Sequence, residues 1–211
     1  KFNGKFWYLS LPLEVEDKLN NKLTDVSVGV DLGIKDLAIV SNIDKPFKNI
    51  NKSKEVKRLN KKLKRLQRQV SRKYDILKSG DAFRKGEKLT KTQNIIKLEN
   101  KIKLVHKRIA DIRLNHIHQT TNTIVKTKPC RVVVEDLNVR GLLKNKHLSK
   151  AISEQCFNKF ITILEYKCKW NGIEFVKADR FYPSSKKCSC CGIIKTDLRL
   201  KDRTYICSNC N

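Results

Sequence analysis

Apolar and polar positions along the chain follow two different periods. The run Val26-Ser27-Val28-Gly29-Val30-Asp31 alternates with period two, as a strand does. Leu37-Ala38-Ile39-Val40-Ser41 forms a second β-prone run after the turn Leu32-Gly33-Ile34-Lys35-Asp36. The pair predicts an antiparallel hairpin with Asp31 at the end of its first strand. Residues 5–11 are aromatic and β-prone and are closed by Pro12, which predicts an earlier strand. Cys130-Arg131-Val132-Val133-Val134-Glu135 is a short β-branched run that predicts a buried strand ending on a carboxylate. Ile173-Glu174-Phe175-Val176 predicts another. Residues 149–171 predict a helix with Ile152, Phe157, Phe160, Ile161, Leu164 and Cys168 turned inward, stopped by Gly172. Strands broken by helices give a mixed α/β layered fold.

Between these strands the period changes. Val56, Leu59, Leu63, Leu66, Val70 and Leu77 recur at spacings of three and four, and so do Ile95, Leu98, Ile102, Val105, Ile109 and Ile112. Residues 79–91, with Gly80 and Gly86, read as a loop, and Thr90-Lys91-Thr92-Gln93 fits a capping box. Two such stretches joined by a loop predict an antiparallel helical hairpin.

Charge sharpens this picture. The 211 residues carry 47 Lys and Arg against 21 Asp and Glu, a net charge of +26. Residues 51–113 hold 22 basic and 6 acidic side chains, a net of +16, so most of the excess sits in the hairpin. Few of the basic residues have an acidic neighbour four positions away, which a self-contained exposed helix would favour. A polyanion is the implied partner, with nucleic acid ahead of an anionic membrane surface. Solvated helix faces are the plainer alternative. Lys57, Lys61, Lys64, Arg65, Arg68, Arg72, Lys101 and Arg108 are the candidate phosphate contacts. No apolar run reaches the ~18–20 residues of a membrane helix, and the opening residues lack a signal peptide's apolar stretch and cleavage site. The expected location is therefore the cytoplasm, at the nucleoid, with no membrane partner. With Met at zero, the chain is expected to be a portion of a longer product.

Cysteine spacing brings in metal chemistry. Cys130, Cys156 and Cys168 stand singly in apolar stretches and read as small core residues. Cys188-x2-Cys191 and Cys207-x2-Cys210 are separated by 15 residues, the spacing of a zinc ribbon. Gly192 is placed to turn backbone N–H groups towards sulfur. Cys190 is a spare thiol, and the x2 spacing favours Cys191 over it as a ligand. A closed site of four cysteines is structural, so catalysis must lie elsewhere.

Asp31 and Glu135 are the candidates, because a carboxylate ending a buried strand is costly unless it is paired or binds a cation. On neighbouring strands the two would converge on Mg2+ or Mn2+. The plainer alternative is a turn cap at Asp31 and a surface acid at Glu135. Asp136 falls on the opposite face, and Asp179 is expected to pair with Arg180. His106, His116, His118 and His147 show no metal spacing with any Cys. An actin-like ATPase also starts with a strand, Asp-x-Gly, but needs a second glycine-rich loop that the sequence lacks.

Val28-Gly29-Val30-Asp31-Leu32-Gly33-Ile34-Lys35 resembles the first RuvC motif of the TnpB (OrfB) family of bacterial insertion sequences, small relatives of type V CRISPR effectors. Val133-Val134-Glu135-Asp136-Leu137 resembles the second motif. Residues 181–192, Phe-Tyr-Pro-Ser-Ser-Lys-Lys-Cys-Ser-Cys-Cys-Gly, resemble the approach to the family's zinc ribbon. The resemblance implies an RNase H-like (RuvC) α/β core with a basic helical-hairpin insertion and a C-terminal zinc ribbon of four cysteines. It implies metal-dependent DNA cleavage guided by an RNA from the transposon end, with Asp31 and Glu135 as the first two of three catalytic acids.

The implied segments are the end of a wedge-like β domain (1–25), an N-terminal stretch of the RuvC core (26–50), the hairpin (51–126), a C-terminal stretch of the RuvC core (127–182) and the ribbon (183–211). The family's third acid follows the second cysteine pair, so the chain is expected to stop before it. A non-catalytic nucleic-acid-binding remnant of such a nuclease is the alternative.

Overall fold

The computed structural model describes residues 2, 6–14, 22–80, 90–180, 182–183, 186–197 and 205–210. Five strands, β1 (Thr24–Leu32), β2 (Asp36–Val40), β3 (Ile43–Lys48), β4 (Pro129–Glu135) and β5 (Glu174–Ala178), form one sheet in the order β3-β2-β1-β4-β5. β1 and β3 run antiparallel to β2, while β1, β4 and β5 run parallel to one another. The expected hairpin is thus β1–β2. β3 was not legible from pattern: it is Ile-Asp-Lys-Pro-Phe-Lys, and no residue in it is fully buried. Its Pro46 is tolerated because the strand lies at the sheet edge.

Period-two alternation divides the sheet into two faces. Val28, Val30 and Leu32 of β1, Ala38 and Val40 of β2, and Val132 and Val134 of β4 are all buried and form one core. Helices cover that face. α1 (Lys54–Gly80) and α2 (Gln93–Lys126) follow a short 3-10 helix, Ile50–Lys52. α3 (Val139–Leu142), α4 (Ser149–Gln155) and α5 (Phe157–Trp170) lie between β4 and β5. Phe157, Phe160, Ile163 and Leu164 of α5 join Ile117, Ile124 and Val125 of α2 against the sheet.

α1 and α2 meet through a separate cluster of Val56, Leu63, Leu66, Val105 and Ile109. The helical hairpin therefore exists as expected, but α2 runs on well past Ile112. Its second half belongs to the sheet core rather than to the hairpin seam.

Three local expectations give way. The capping box does not form: α2 starts at Gln93, and Thr92 caps it without a side-chain bond. The carbonyl of Thr92 instead accepts from the N–H groups of Ile95 and Ile96. The single helix over 149–171 is two helices, because Cys156 adopts φ 56°, ψ 41° and breaks the ladder. The strand expected over 5–11 does not form among its described residues; Trp7 makes an isolated bridge to Phe2. Trp7 and Leu9 are 80% and 84% exposed, so this segment has no face on which to bury itself. Most of the expected loop at 79–91 lies outside the described residues.

Gly172 ends α5 as expected. Its φ is 69°, and the bonds Gly172 N–H to Lys169 O and Ile173 N–H to Cys168 O make a Schellman motif. Cys168 is buried, while Cys130 and Cys156 are only half-buried.

Candidate active site and metal centre

The parallel register between β1 and β4 decides where the two acids go. Val30 pairs with Val134, and both are buried. Asp31 and Glu135 are each one residue further on, so they leave the ends of adjacent strands on the opposite, uncovered face. Ile39 of β2, paired with Asp31, is 52% exposed on that face. Both acids are exposed. Asp31 nevertheless stands among packed protein atoms, and this desolvation raises its pKa from the ordinary 3.8. Carboxylates at the C-terminal edge of parallel strands are hard oxygen donors of the kind that suit Mg2+ or Mn2+.

Glu135 also borders a cleft of about 440 Å³ with Asp136, Asn138, Ala178, Asp179 and Arg180. Ala178 of β5 is the partner of Glu135 in the sheet, so this cleft opens between the ends of β4 and β5. The Arg180 guanidinium donates to the Asp136 carboxylate at 2.6 Å, a partner other than the expected sequence neighbour Asp179. β4 ends at Glu135, so Asp136 is free of the ladder and turns towards the Arg180 side chain instead of occupying a strand face.

Cys188, Cys191, Cys207 and Cys210 bring their sulfurs within 4.8 Å of one another. The Cys188–Cys210 and Cys191–Cys207 separations are both 3.5 Å. A tetrahedral ion with bonds of about 2.3 Å needs sulfurs about 3.8 Å apart, so the four thiols could hold a metal such as zinc. Backbone amides prepare them for it. N–H groups of Cys191 and Cys190 lower the pKa of Cys188. Those of Asn209 and Cys210 bring Cys207 down to about 6. Cys210 is pushed up, because its thiol proton is shared first with Cys188.

The role expected of Gly192 is modified. Its N–H bonds the Cys188 carbonyl at 3.0 Å, and its φ of 76° closes the turn, while the Cys190 and Cys191 amides face the sulfur. Cys190 lies outside the ligand group.

The eight candidate phosphate contacts are all exposed. Lys61, Lys64, Arg65, Arg68 and Arg72 line one groove along α1, and Arg72 and Lys101 line a second between α1 and α2. Arg108 is different: it pairs with Glu55 across the hairpin at 2.9 Å. Among the described residues, Lys107–Asp111 is the only ion pair at helical spacing of four.

Comparison with known proteins adds the family. The model of OrfB_IS605, described as "Probable transposase", matches residues 10–146. The chain belongs to the OrfB_IS605 family. A second model, "Cas12f1-like, TNB domain", matches residues 157–211 of this OrfB chain. A Streptomyces pristinaespiralis protein named "Putative RNA-guided DNA endonuclease" is 37% identical over 95% of this chain and 45% of its own length. InsQ of Escherichia coli K12, given the same description, is 27% identical over 95% of this chain and 48% of its own. The OrfB chain thus spans about half the length of the curated relatives it matches. A Cas12f1–sgRNA–target DNA complex matches with a TM-score of 0.54 at 20% identity, covering 92% of this chain and 38% of that one, which is a likeness of fold. No helix among the described residues is long and apolar enough to cross a membrane.

Proposed function

We propose that this chain is the nuclease portion of an RNA-guided DNA endonuclease of the transposon-associated TnpB type. The observation that carries the reading is the β1–β4 register, which sets Asp31 beside Glu135. In this reading the sheet β3-β2-β1-β4-β5 is the RNase H-like (RuvC) core, and the basic hairpin between β3 and β4 is its insertion. The relatives' names support cleavage of DNA under RNA guidance.

In this reading Asp31 and Glu135 hold Mg2+ or Mn2+, which supplies charge stabilisation for the attacking and leaving oxygens of phosphodiester cleavage. β1 and β4 fix the spacing of the two acids, and the uncovered sheet face admits the DNA strand. Lys57, Lys61, Lys64, Arg65, Arg68, Arg72 and Lys101 bind the phosphates of a guide RNA and its DNA target. Zn2+ held by Cys188, Cys191, Cys207 and Cys210 folds the ribbon.

The test is cleavage by the complete protein with its guide RNA and a matching DNA. Asp31→Ala and Glu135→Ala should each lower the rate by about 10²–10³-fold or more, the scale of losing one preorganised electrostatic group. Undiminished cutting by Asp31→Ala overturns the assignment. Salt-sensitive binding without any cleavage in Mg2+ or Mn2+ would instead favour a non-catalytic remnant.

A further inference from the structure

Gln155 is a buried polar residue, 3% exposed, at the last position of α4. The left-handed turn at Cys156 sends the chain sharply into α5. From this corner the Gln155 side-chain amide donates to the carbonyls of Gly33 at 2.8 Å and Ile34 at 3.3 Å. Both carbonyls belong to the turn that follows Asp31. Asn49 donates to the same Ile34 carbonyl at 2.9 Å.

The contacts continue into the base of the helical hairpin. The Asn51 amide donates to the Glu154 carbonyl at 2.9 Å, and Arg113 of α2 donates to the Asn51 side-chain oxygen at 2.7 Å. Arg113 also pairs with the Glu154 carboxylate at 3.4 Å. Residues far apart in sequence thus tie three things together: the turn after Asp31, the α4–α5 corner, and the helices that carry the basic face.

An amide buried here costs desolvation that an apolar side chain of equal size would avoid. Its use is specific. The Gly33 and Ile34 carbonyls would otherwise lose a donor in a part-buried turn, and two side-chain amides converging on Ile34 restrict that turn from both sides. Asp31 is two residues away along a continuous backbone, with Leu32, 7% exposed, packed in the core between them.

We propose that Gln155 is a positioning residue for the Asp31 carboxylate: it holds the Gly33–Ile34 turn so that Asp31 stays aligned with Glu135. The inference rests on the metal-site reading above.

The test uses the complete protein and reads Mn2+ binding directly, by electron paramagnetic resonance without DNA, alongside the Mn2+ dependence of cleavage. Gln155→Met keeps the size and removes the donor. It should raise the half-saturating Mn2+ concentration about 3- to 10-fold, less than the 10–100-fold typical of a direct partner of a metal ligand, and excess Mn2+ should restore much of the rate. Asn49→Ala should shift it the same way by less, and carries the test if Gln155→Met does not fold. Ile163→Val, a core change in α5, should lower the melting temperature without moving the Mn2+ dependence.

Unchanged half-saturation in the folded Gln155 and Asn49 variants, with Mn2+ binding lost in Asp31→Ala, overturns the positioning role alone. Mn2+ binding that survives Asp31→Ala overturns the metal-site reading and the positioning role with it.

Discussion

The Asp31 carboxyl reaches solvent but is crowded by protein, and that desolvation raises its pKa from the ordinary 3.8. A carboxyl whose folded pKa lies above its unfolded one holds its proton more tightly when folded. It therefore costs stability as pH rises through that window, and none of that cost is present below the unfolded value. Asp31→Asn should melt higher than the parent at pH 7 without divalent metal, and the gain should shrink towards zero below pH about 3.9. Equal melting temperatures at both pH values would contradict the desolvation. Lys167 shows a half-buried charge handled differently. Its ammonium donates to the His118 carbonyl at 2.7 Å and the Thr121 hydroxyl at 2.9 Å, and Thr121 in turn donates to the Ile117 carbonyl at 2.8 Å. Burial lowers the Lys167 pKa. Thr121→Val keeps the shape but removes the acceptor, so it should cost about 1–3 kcal/mol in denaturant unfolding.

The ribbon and the hairpin are held by unlike means. Residues 186–197 and 205–210 show no helix and only one isolated bridge, Lys187–Ile194, so a metal held by the four cysteines would be their main source of order. Chelation should expose these residues to hydrogen exchange while leaving the helical circular dichroism nearly intact; a collapse of helicity would deny that the ribbon is a separate folding unit. In the hairpin, Tyr74 of α1 and Lys91 both donate to Glu99 of α2, at 2.7 and 2.9 Å. The Tyr74 bond is the first cause of the lowered Glu99 pKa. A depressed carboxylate stabilises fully above its unfolded value and loses that contribution as pH falls through the folded one. The sequence showed the elements whose burial is one-sided. β1, β2, β4 and β5 alternate or run apolar, and α1 and the first half of α2 keep a single apolar stripe. It did not show β3, whose residues stay at an exposed edge. Nor did it show the second half of α2, which buries Thr120 and Thr121 against new partners, or the break at Cys156, a left-handed residue without the glycine that usually signals one. The four cysteines could be named from spacing, and the two acids from their place at the ends of apolar strands. That Asp31 neighbours Glu135 required the strand order, and Gln155 looked like any helical polar residue because its partners lie some 120 positions away.

Charge is distributed to match this division of labour. Of the net +26, the hairpin region carries +16, while the strand ends beside it present Asp31, Glu135, Asp136 and Asp179. In the proposed reading a polyanion drawn along the helices meets carboxylates at the strand ends, where a cation would offset the repulsion. Lys57, Lys61, the adjacent Lys64 and Arg65, Arg68 and Arg72 recur at steps of three or four residues and extend about 22 Å along α1, long enough to follow several phosphates of a duplex. Each phosphate neutralised adds to the salt dependence of binding, with a log–log slope of about −0.9 per contact on B-DNA and −0.7 on single strands. Replacing Arg65, Arg68 and Arg72 together by Gln should flatten that slope by roughly two to three units and weaken binding most at low salt. Arg108 makes the internal control, because its guanidinium is already engaged by Glu55. Arg108→Gln should change the slope by well under one unit, since the salt bridge competes with any phosphate. Fluorescence anisotropy of a labelled duplex between about 50 and 200 mM salt separates these outcomes. Slopes that fall equally for Arg108→Gln and for the α1 triple variant would mean that the charge acts as a diffuse cloud rather than as a track along one helix.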